Sequence, residues 1–249
     1  MADNINYVEI NNLSKRFDDL VVLDNISLNV KKGENLVVFG RSGTGKSVLL
    51  KCIIGLLEPD SGEVYVKNKN VWSLKKKKLN KLRKHIGFLF QGAALYDSMT
   101  VRENLEFPLR RYFKMTQKEL DHKVLETLEL VSLVEAVDKM PSELSGGMRK
   151  RIGLARSIIT DPELMLYDEP TTGLDPITTK EISDLILTLQ NHLNMTSIAV
   201  THDLVCAEII SDRAIFLKEG DIIYEGKIDQ LTKSEDRFLK NFFSKEVMK

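Results

Sequence analysis

The chain has 249 residues, 43% hydrophobic and 29% charged, enough for one large globular domain with a substantial core. Lys plus Arg and Asp plus Glu both number 36, so the formal net charge is zero and bulk charge gives no reason to expect nucleic acid as the main partner. No apolar run is long enough to cross a bilayer, and the polar start Met1–Asn6 lacks a signal peptide's apolar stretch, so a cytosolic chain is expected unless another chain holds it at a membrane.

In chain order, Tyr7–Ile10, Val21–Leu23 and Ile26–Val30 read as short strands joined by polar turns, which predicts an antiparallel layer at the start. Phe17 falls in one of these turns, among Lys15, Arg16, Asp18 and Asp19. A turn aromatic is either a packing anchor or a face on which a base stacks. Leu36–Phe39 reads as a buried strand and Val48–Ile54 as a helix. Between them, Gly40-Arg41-Ser42-Gly43-Thr44-Gly45-Lys46-Ser47 has the spacing of a phosphate loop: Gly, four residues, Gly, Lys, Ser. Gly40, Gly43 and Gly45 let backbone N–H groups approach a polyphosphate, and the helix N-terminus that follows favours an anion. Lys46 would reach the β- and γ-phosphates, and the Ser47 hydroxyl would hold Mg²⁺, a hard cation suited to oxygen ligands.

Glu58–Gly62 reads as a turn and Glu63–Val66 as a strand. The lysine-rich segment Leu74–Ile86 carries Leu79, Leu82 and Ile86 at helical spacing; its charges are either a solvated face or a contact for anionic headgroups or an acidic partner. Ile86–Phe90 reads as a buried strand ending at Gln91, where open α/β sheets bind ligands. From Thr100 to about Ile159 the pattern is helical, with a capping box at Thr116-Gln117-Lys118-Glu119. Within it, Ser145 can cap a helix running from Met148 to Ile159, and Gly146 and Gly147 leave the first N–H groups open to a second anion. Leu164–Pro170 reads as an apolar strand ending in Asp168 and Glu169, which strand alternation would point to opposite sides. Asp168 is expected to hold Mg²⁺ through its water shell and Glu169 to polarise an attacking water. Gly173–Pro176 makes a tight turn, Ile182–Leu193 a striped helix, and Ser197–Thr201 a strand with His202 at its end. His85, His122 and His192 have no such placement. Arg213–Leu217 and Asp221–Tyr224 form a hairpin, and Arg237–Phe243 has apolar residues at helical spacing, suited to docking on this chain or a partner. Cys52 and Cys206 are expected as free buried thiols.

Taken in order, these pieces resemble the ATP-binding subunit of ABC transporters over nearly the whole chain. Gly40–Ser47 resembles its first phosphate motif, Gln91 its glutamine loop and Leu144–Met148 its signature. Leu164–Glu169 resembles its second acidic motif, Gly173–Asp175 its aspartate loop, His202 its switch histidine and Phe17 its adenine-stacking aromatic. The resemblance implies an α/β fold: a P-loop NTPase (RecA-like) core, an N-terminal antiparallel β layer and an inserted α-helical subdomain. One ABC ATPase domain would span 1–249, with its core at about 1–95 and 160–230, the helical subdomain at about 96–159 and a tail at about 231–249. It further implies Mg²⁺-dependent ATP hydrolysis in a head-to-tail homodimer. Each ATP would lie between one chain's Gly40–Ser47 and the other's Ser145, Gly146 and Gly147, with His202 on the γ-phosphate and Gln91 sensing metal and water. Ser47, Gln91 and Asp168 would serve the metal, and Asp175 would stand near the nucleotide. The family signature usually ends in Gln; Met148 loses that side chain's polar contact but keeps Ser145 and the glycine backbone.

Phe90–Val101, Met140–Met148, Leu174–Thr178 and Asp236–Leu239 look similar to the ATPase of Mla-type lipid-trafficking systems, which work with MCE-domain proteins and integral membrane permeases. That would place the chain peripherally at the inner face of the cell membrane. In this family a helix of the membrane partner docks after the glutamine loop, where Gly92-Ala93-Ala94-Leu95 offers either a groove or a plain small-residue loop. Transport of another solute is the nearest alternative. A non-transport ABC ATPase acting on DNA or ribosomes fits poorly with neutral charge and no coiled-coil insert, and a P-loop kinase would lack the Ser-Gly-Gly signature.

Overall fold

The computed structural model of the chain describes residues 5–246. It opens with β1 (Asn6–Phe17) and β2 (Leu20–Lys31), paired antiparallel. The apolar runs Val21–Leu23 and Ile26–Val30, expected as separate strands, both lie on β2. The polar residues between them make a bulge: Asn25 adopts φ 53° and its N–H donates to Ser14 Oγ at 2.9 Å, so the strand bends without ending. Phe17 is the last residue of β1 and pairs with Leu20, which puts it beside a two-residue hairpin turn.

β3 (Asn35–Phe39) is buried throughout, as a continuous apolar run covered on both faces requires. It leads through the glycine loop into α1 (Lys46–Ile53), then β4 (Ser61–Val66), the two-residue β5 (Lys69–Asn70), the lysine-rich α2 (Lys76–Arg83) and β6 (Ile86–Leu89). α2 seats Leu82 in the core and leaves Lys76, Lys77, Lys78 and Lys81 exposed. Three longer helices follow: α3 (Val101–Tyr112), α4 (Gln117–Leu130) and α5 (Gly146–Ile158). They enclose a cluster of their own that includes Leu105, Leu120, Val124, Leu128 and Ile152. Thr116 and Glu119 form the expected capping box on α4, and Thr100 and Glu103 form an identical one on α3. α5 starts at Gly146, two residues ahead of the expected Met148, because Ser145 is its N-cap and both glycines lie in its first turn.

The chain returns through β7 (Leu164–Asp168), α6 (Pro176–Leu193), β8 (Thr196–Val200), α7 (Leu204–Ile210), β9 (Arg213–Lys218), β10 (Asp221–Gly226), α8 (Ile228–Thr232) and α9 (Arg237–Glu246). Two sheets result. One is antiparallel with order β2-β1-β4-β5; the other runs β10-β9-β3-β8-β7-β6, parallel except at the β9–β10 hairpin. One hydrophobic cluster joins both sheets through α1, and a second lies beneath α6, α7 and α9. α9 docks on this chain: Phe242 and Phe243 meet Phe216 and Phe39 edge-on, with ring centroids 4.8 and 5.4 Å apart. Cys52 and Cys206 are free and buried.

The parallel strands fix where chemistry can occur. β3, β6, β7 and β8 end at the same edge of the sheet, so the loops leaving them converge outside their carboxyl ends.

Candidate functional site

The loop after β3 is held by its own atoms and by the neighbouring sheet. Thr44 Oγ1 donates to the Arg41 carbonyl at 2.9 Å. Gly45 caps α1 with φ 93°, and a Cβ there would meet the Val22 carbonyl oxygen at 2.7 Å. Left-handed backbone and close packing against β2 both demand glycine. Gly45→Ala should therefore weaken nucleotide binding about tenfold or more, the equivalent of ~1–3 kcal/mol of strain, measured by titration of the purified chain; unchanged affinity would contradict this account of the loop.

α1 has no acidic side chain in its first turn, so its N-terminal N–H groups and dipole stay open to an anion. Lys46 is buried, and its Nζ donates to the carbonyls of Gly40 (2.7 Å) and Arg41 (3.1 Å). The same ammonium lies 3.5 Å from Glu169 Oε1. One residue along, Ser47 Oγ donates to Asp168 Oδ1 at 2.7 Å. Two adjacent oxygen donors, one anionic, suit Mg²⁺ by their chemistry.

Asp168 and Glu169 do not point to opposite sides. Asp168 ends β7, but Glu169 leaves the strand with φ 51°, and this turn brings both carboxylates to the phosphate loop. A left-handed non-glycine residue costs ~1–3 kcal/mol and needs its surroundings to hold it. The Glu169 N–H donates to the Val200 carbonyl at 2.9 Å, and the Thr172 N–H donates to the Glu169 carbonyl at 3.3 Å. Its carboxylate accepts from Thr172 Oγ1 at 3.1 Å and lies 2.8 Å from His202 Nδ1. Burial pushes the Glu169 carboxyl up, but His202 and Lys46 outweigh it and hold the group below the usual carboxylate range. Glu169 is therefore an anion poised to accept a proton or orient a water.

Arg41, Ser42, Gly43, Gly45, Lys46 and Ser47 line one cavity of about 770 Å³ together with Gln91, Glu169 and His202. Gly40, Thr44 and Asp168 do not line it but hydrogen-bond to Lys46, Arg41 and Ser47, which do. Val22, Thr172 and Phe242 also line it, and sequence reading missed all three. Thr172 stands three residues after Glu169, a spacing that suits a hydroxyl to brace a carboxylate; Val22 and Phe242 arrive from distant elements and leave no local signal. Phe17 is 43% exposed at its hairpin tip and does not line the cavity; Lys15 Nζ lies 5.5 Å from its ring centre.

Ser145, Gly146 and Gly147 line a different cleft of about 430 Å³, with Met148, Gly173, Asp175 and Thr178. It shares no lining residue with the first. Ser145 Oγ accepts from the Met148 N–H at 3.2 Å, and the Asp175 carboxylate caps α6 through the N–H groups of Ile177 and Thr178, each at 3.0 Å. Of the remaining histidines, His85 pairs with Glu163, and His122 and His192 are exposed. One further residue was missed: Lys150, buried on α5, reaches the carbonyls of Gln91 and Glu169. A lysine in a helical pattern reads as solvated, and only the tertiary fold puts this one inside.

A family model described as ABC transporter matches residues 23–172. The chain belongs to the ABC transporter family. It is an ATP-binding, ATP-hydrolysing subunit of that family. This ABC ATPase is 40% identical to the intermembrane phospholipid transport system ATP-binding protein MlaF of Haemophilus influenzae, over 98% of its own length and 92% of that protein's. It is 37% identical to the probable ribonucleotide transport ATP-binding protein mkl of Mycobacterium tuberculosis, over 95% of its own length and 66% of that protein's. Among solved structures it resembles a dimeric ATP-binding cassette in a post-hydrolysis state bound to ADP and Pi, with a TM-score of 0.81 and 34% identity, covering 89% of this chain and 98% of that one. Among the described residues of this ABC ATPase, no helix is long and apolar enough to cross a membrane.

The depressed Glu169 carboxyl sets an expected pH dependence. Its anion persists below the usual carboxylate range, so the acid limb of kcat that belongs to Glu169 should lie beneath that range. A kcat–pH profile whose acid limb sits above that range, or does not move up when His202 is replaced by Ala, would contradict this expectation.

Proposed function

We propose that two copies of this ABC ATPase close head to tail around two ATP molecules and drive a membrane transporter whose cargo is a phospholipid or related lipid. The observation that carries the dimer is the separation of two anion-suited clefts within one chain: Lys46 and the α1 N-terminus line one, Ser145 and the α5 N-terminus the other. A second copy would bring the missing cleft to each γ-phosphate. The chain acts as one ATPase domain, with a helical subdomain at about 96–159 and a tail from about 231.

In this reading Lys46 and the loop N–H groups hold the β- and γ-phosphates. Ser47 and Asp168, with Gln91 beside them, would hold Mg²⁺, which neutralises charge between those phosphates when bound. Glu169 orients the water that attacks the γ-phosphorus and takes its proton, while ADP leaves on the opposite side. His202 positions Glu169 and bonds the γ-phosphate, and Phe17 stacks on adenine. Ser145 and Gly147 of the second copy stabilise charge on the transferring group, because such catalysis is mainly positioning and electrostatics.

The lipid cargo, the MCE-type and permease partners, and a peripheral place at the inner face of the cell membrane rest on the likeness to MlaF. Transport of another solute is the second reading, favoured by the likeness to a probable ribonucleotide transport protein. Purification of the intact complex from membranes, followed by mass spectrometry of its extract, separates them. Stoichiometric phospholipid is expected. A complex free of lipid, with ATPase activity stimulated by a different solute, would overturn the lipid reading and leave the ATPase untouched.

A further inference from the structure

Lys150 is 6% exposed, yet it lies outside both clefts. Its position on α5 places it with Gly153, Leu154 and Ser157 on the buried face of that helix. Its Nζ donates to the Gln91 carbonyl and, at 3.4 Å, to the Glu169 carbonyl. These two acceptors lie just past the ends of strands β6 and β7, and Ser145 caps the same helix five residues earlier. One ammonium thus joins three segments: the glutamine loop, the left-handed backbone of Glu169, and the helix that presents Ser145. A buried ammonium spanning two carbonyls is a fixed strut, because moving away would leave its donors and both carbonyls unpaired in the interior.

We propose that Lys150 is a positioning residue for hydrolysis, tying the glutamine loop and the Glu169 backbone to α5. It rests on the roles given above to Glu169 and Gln91. Lys150 lines neither cleft, so it acts through Glu169 and Gln91. It holds the Glu169 carbonyl, and with it the φ that aims the carboxylate at the phosphate loop. It also keeps Gln91 at a set distance from Glu169, so that displacement of α5 in the dimer is passed to both. The strut needs hydrogen-bond donors at that place; positive charge is secondary.

The test compares Lys150→Met, which keeps length and burial but donates nothing, with Lys150→Gln, whose amide N–H group can reach a carbonyl. Both are made in the full-length chain, with ATP binding as the check on folding. Lys150→Met should lower kcat about tenfold or more with KM for ATP within about threefold of native, and Lys150→Gln should restore at least about a third of native kcat. If Lys150→Met does not fold, Lys150→Thr, too short to span the carbonyls, takes its place with the same expectation. Native kcat in the donor-less variant, equal losses in the Met and Gln variants, or a rise in KM alone would overturn the proposal. Glu169→Gln in the same assay separates the two claims. Turnover in Glu169→Gln sinks the role of Glu169 and the strut with it, whereas a silent Glu169→Gln beside an active Lys150→Met sinks the strut alone.

Discussion

Glu169→Gln should lower kcat at least ~10²-fold while ATP still binds, since a positioned general base typically contributes ~10²–10⁴. The expectation comes from geometry. The Glu169 carboxylate lines the phosphate cavity and is held by Thr172 and His202. The amide of Gln keeps the shape and can keep the Thr172 contact, but it cannot accept a proton from water. Lys46 and the glycine loop, proposed to grip the phosphates, are untouched. Bound ATP should therefore persist and accumulate a closed dimer, seen as a shift to twice the monomer mass in size-exclusion chromatography with ATP. Rapid-quench and steady-state assays measure the loss of turnover directly. Native rates in Glu169→Gln would remove this residue from the chemistry.

Ser145→Ala should impair hydrolysis by a different route. Its hydroxyl lies at the N-terminus of α5, in a cleft apart from the phosphate loop, so the lone chain should bind ATP with native affinity. In the proposed head-to-tail dimer, turnover needs the second copy. Losing one hydrogen bond to a charged group costs ~1.5–3 kcal/mol, so kcat should fall by roughly 10–100-fold in assays that populate the dimer. The removed hydroxyl also caps α5 through the Met148 N–H, worth ~1 kcal/mol of local stability. A Ser145→Gly control also lacks the hydroxyl but costs the cap only about a few tenths of a kcal/mol, so an equal defect there rules out fraying. Weaker ATP binding by monomeric Ser145→Ala would contradict a role across the interface.

The parallel core was legible because its signals are local and agree. Each buried apolar strand ends in a chemical group: Phe39 in the glycine loop, Leu89 near Gln91, Asp168 before Glu169, Val200 before His202. Period and punctuation alone identify such strands, and their carboxyl ends must share one edge. What escaped depended on contacts distant in sequence. Glu169 follows a strand, so alternation predicted a divergent carboxylate. Its left-handed turn depends on Val200 and Thr172, which no pattern at Asp168-Glu169 reveals. The β2 bulge is a milder case, because Asn tolerates left-handed backbone and Asn25 stands where the apolar alternation slips. The Thr100-Val101-Arg102-Glu103 box has the same signature as the one recognised at Thr116 and could have been read. Lys150 could not: burial of a lysine is decided by what packs over it, and here that is the junction of α5 with β6 and β7.

The tail shows how such contacts bear on the site. Phe242 packs on Phe216 and also lines the cavity at the phosphate loop, while the Arg41 guanidinium lies 5.1 Å from the Phe238 ring centre. The phosphate loop therefore rests partly on residues near the end of the chain.

The central claim is that one copy cannot finish its own nucleotide site. A structure of Glu169→Gln with ATP and Mg²⁺ tests it most directly. The account predicts a two-fold dimer in which Ser145 Oγ lies within hydrogen-bond reach of the γ-phosphate held by the other copy's Lys46. A bound ATP whose γ-phosphate meets Ser145 of its own chain, or a Ser145 that faces only solvent in the ATP-loaded assembly, would contradict it.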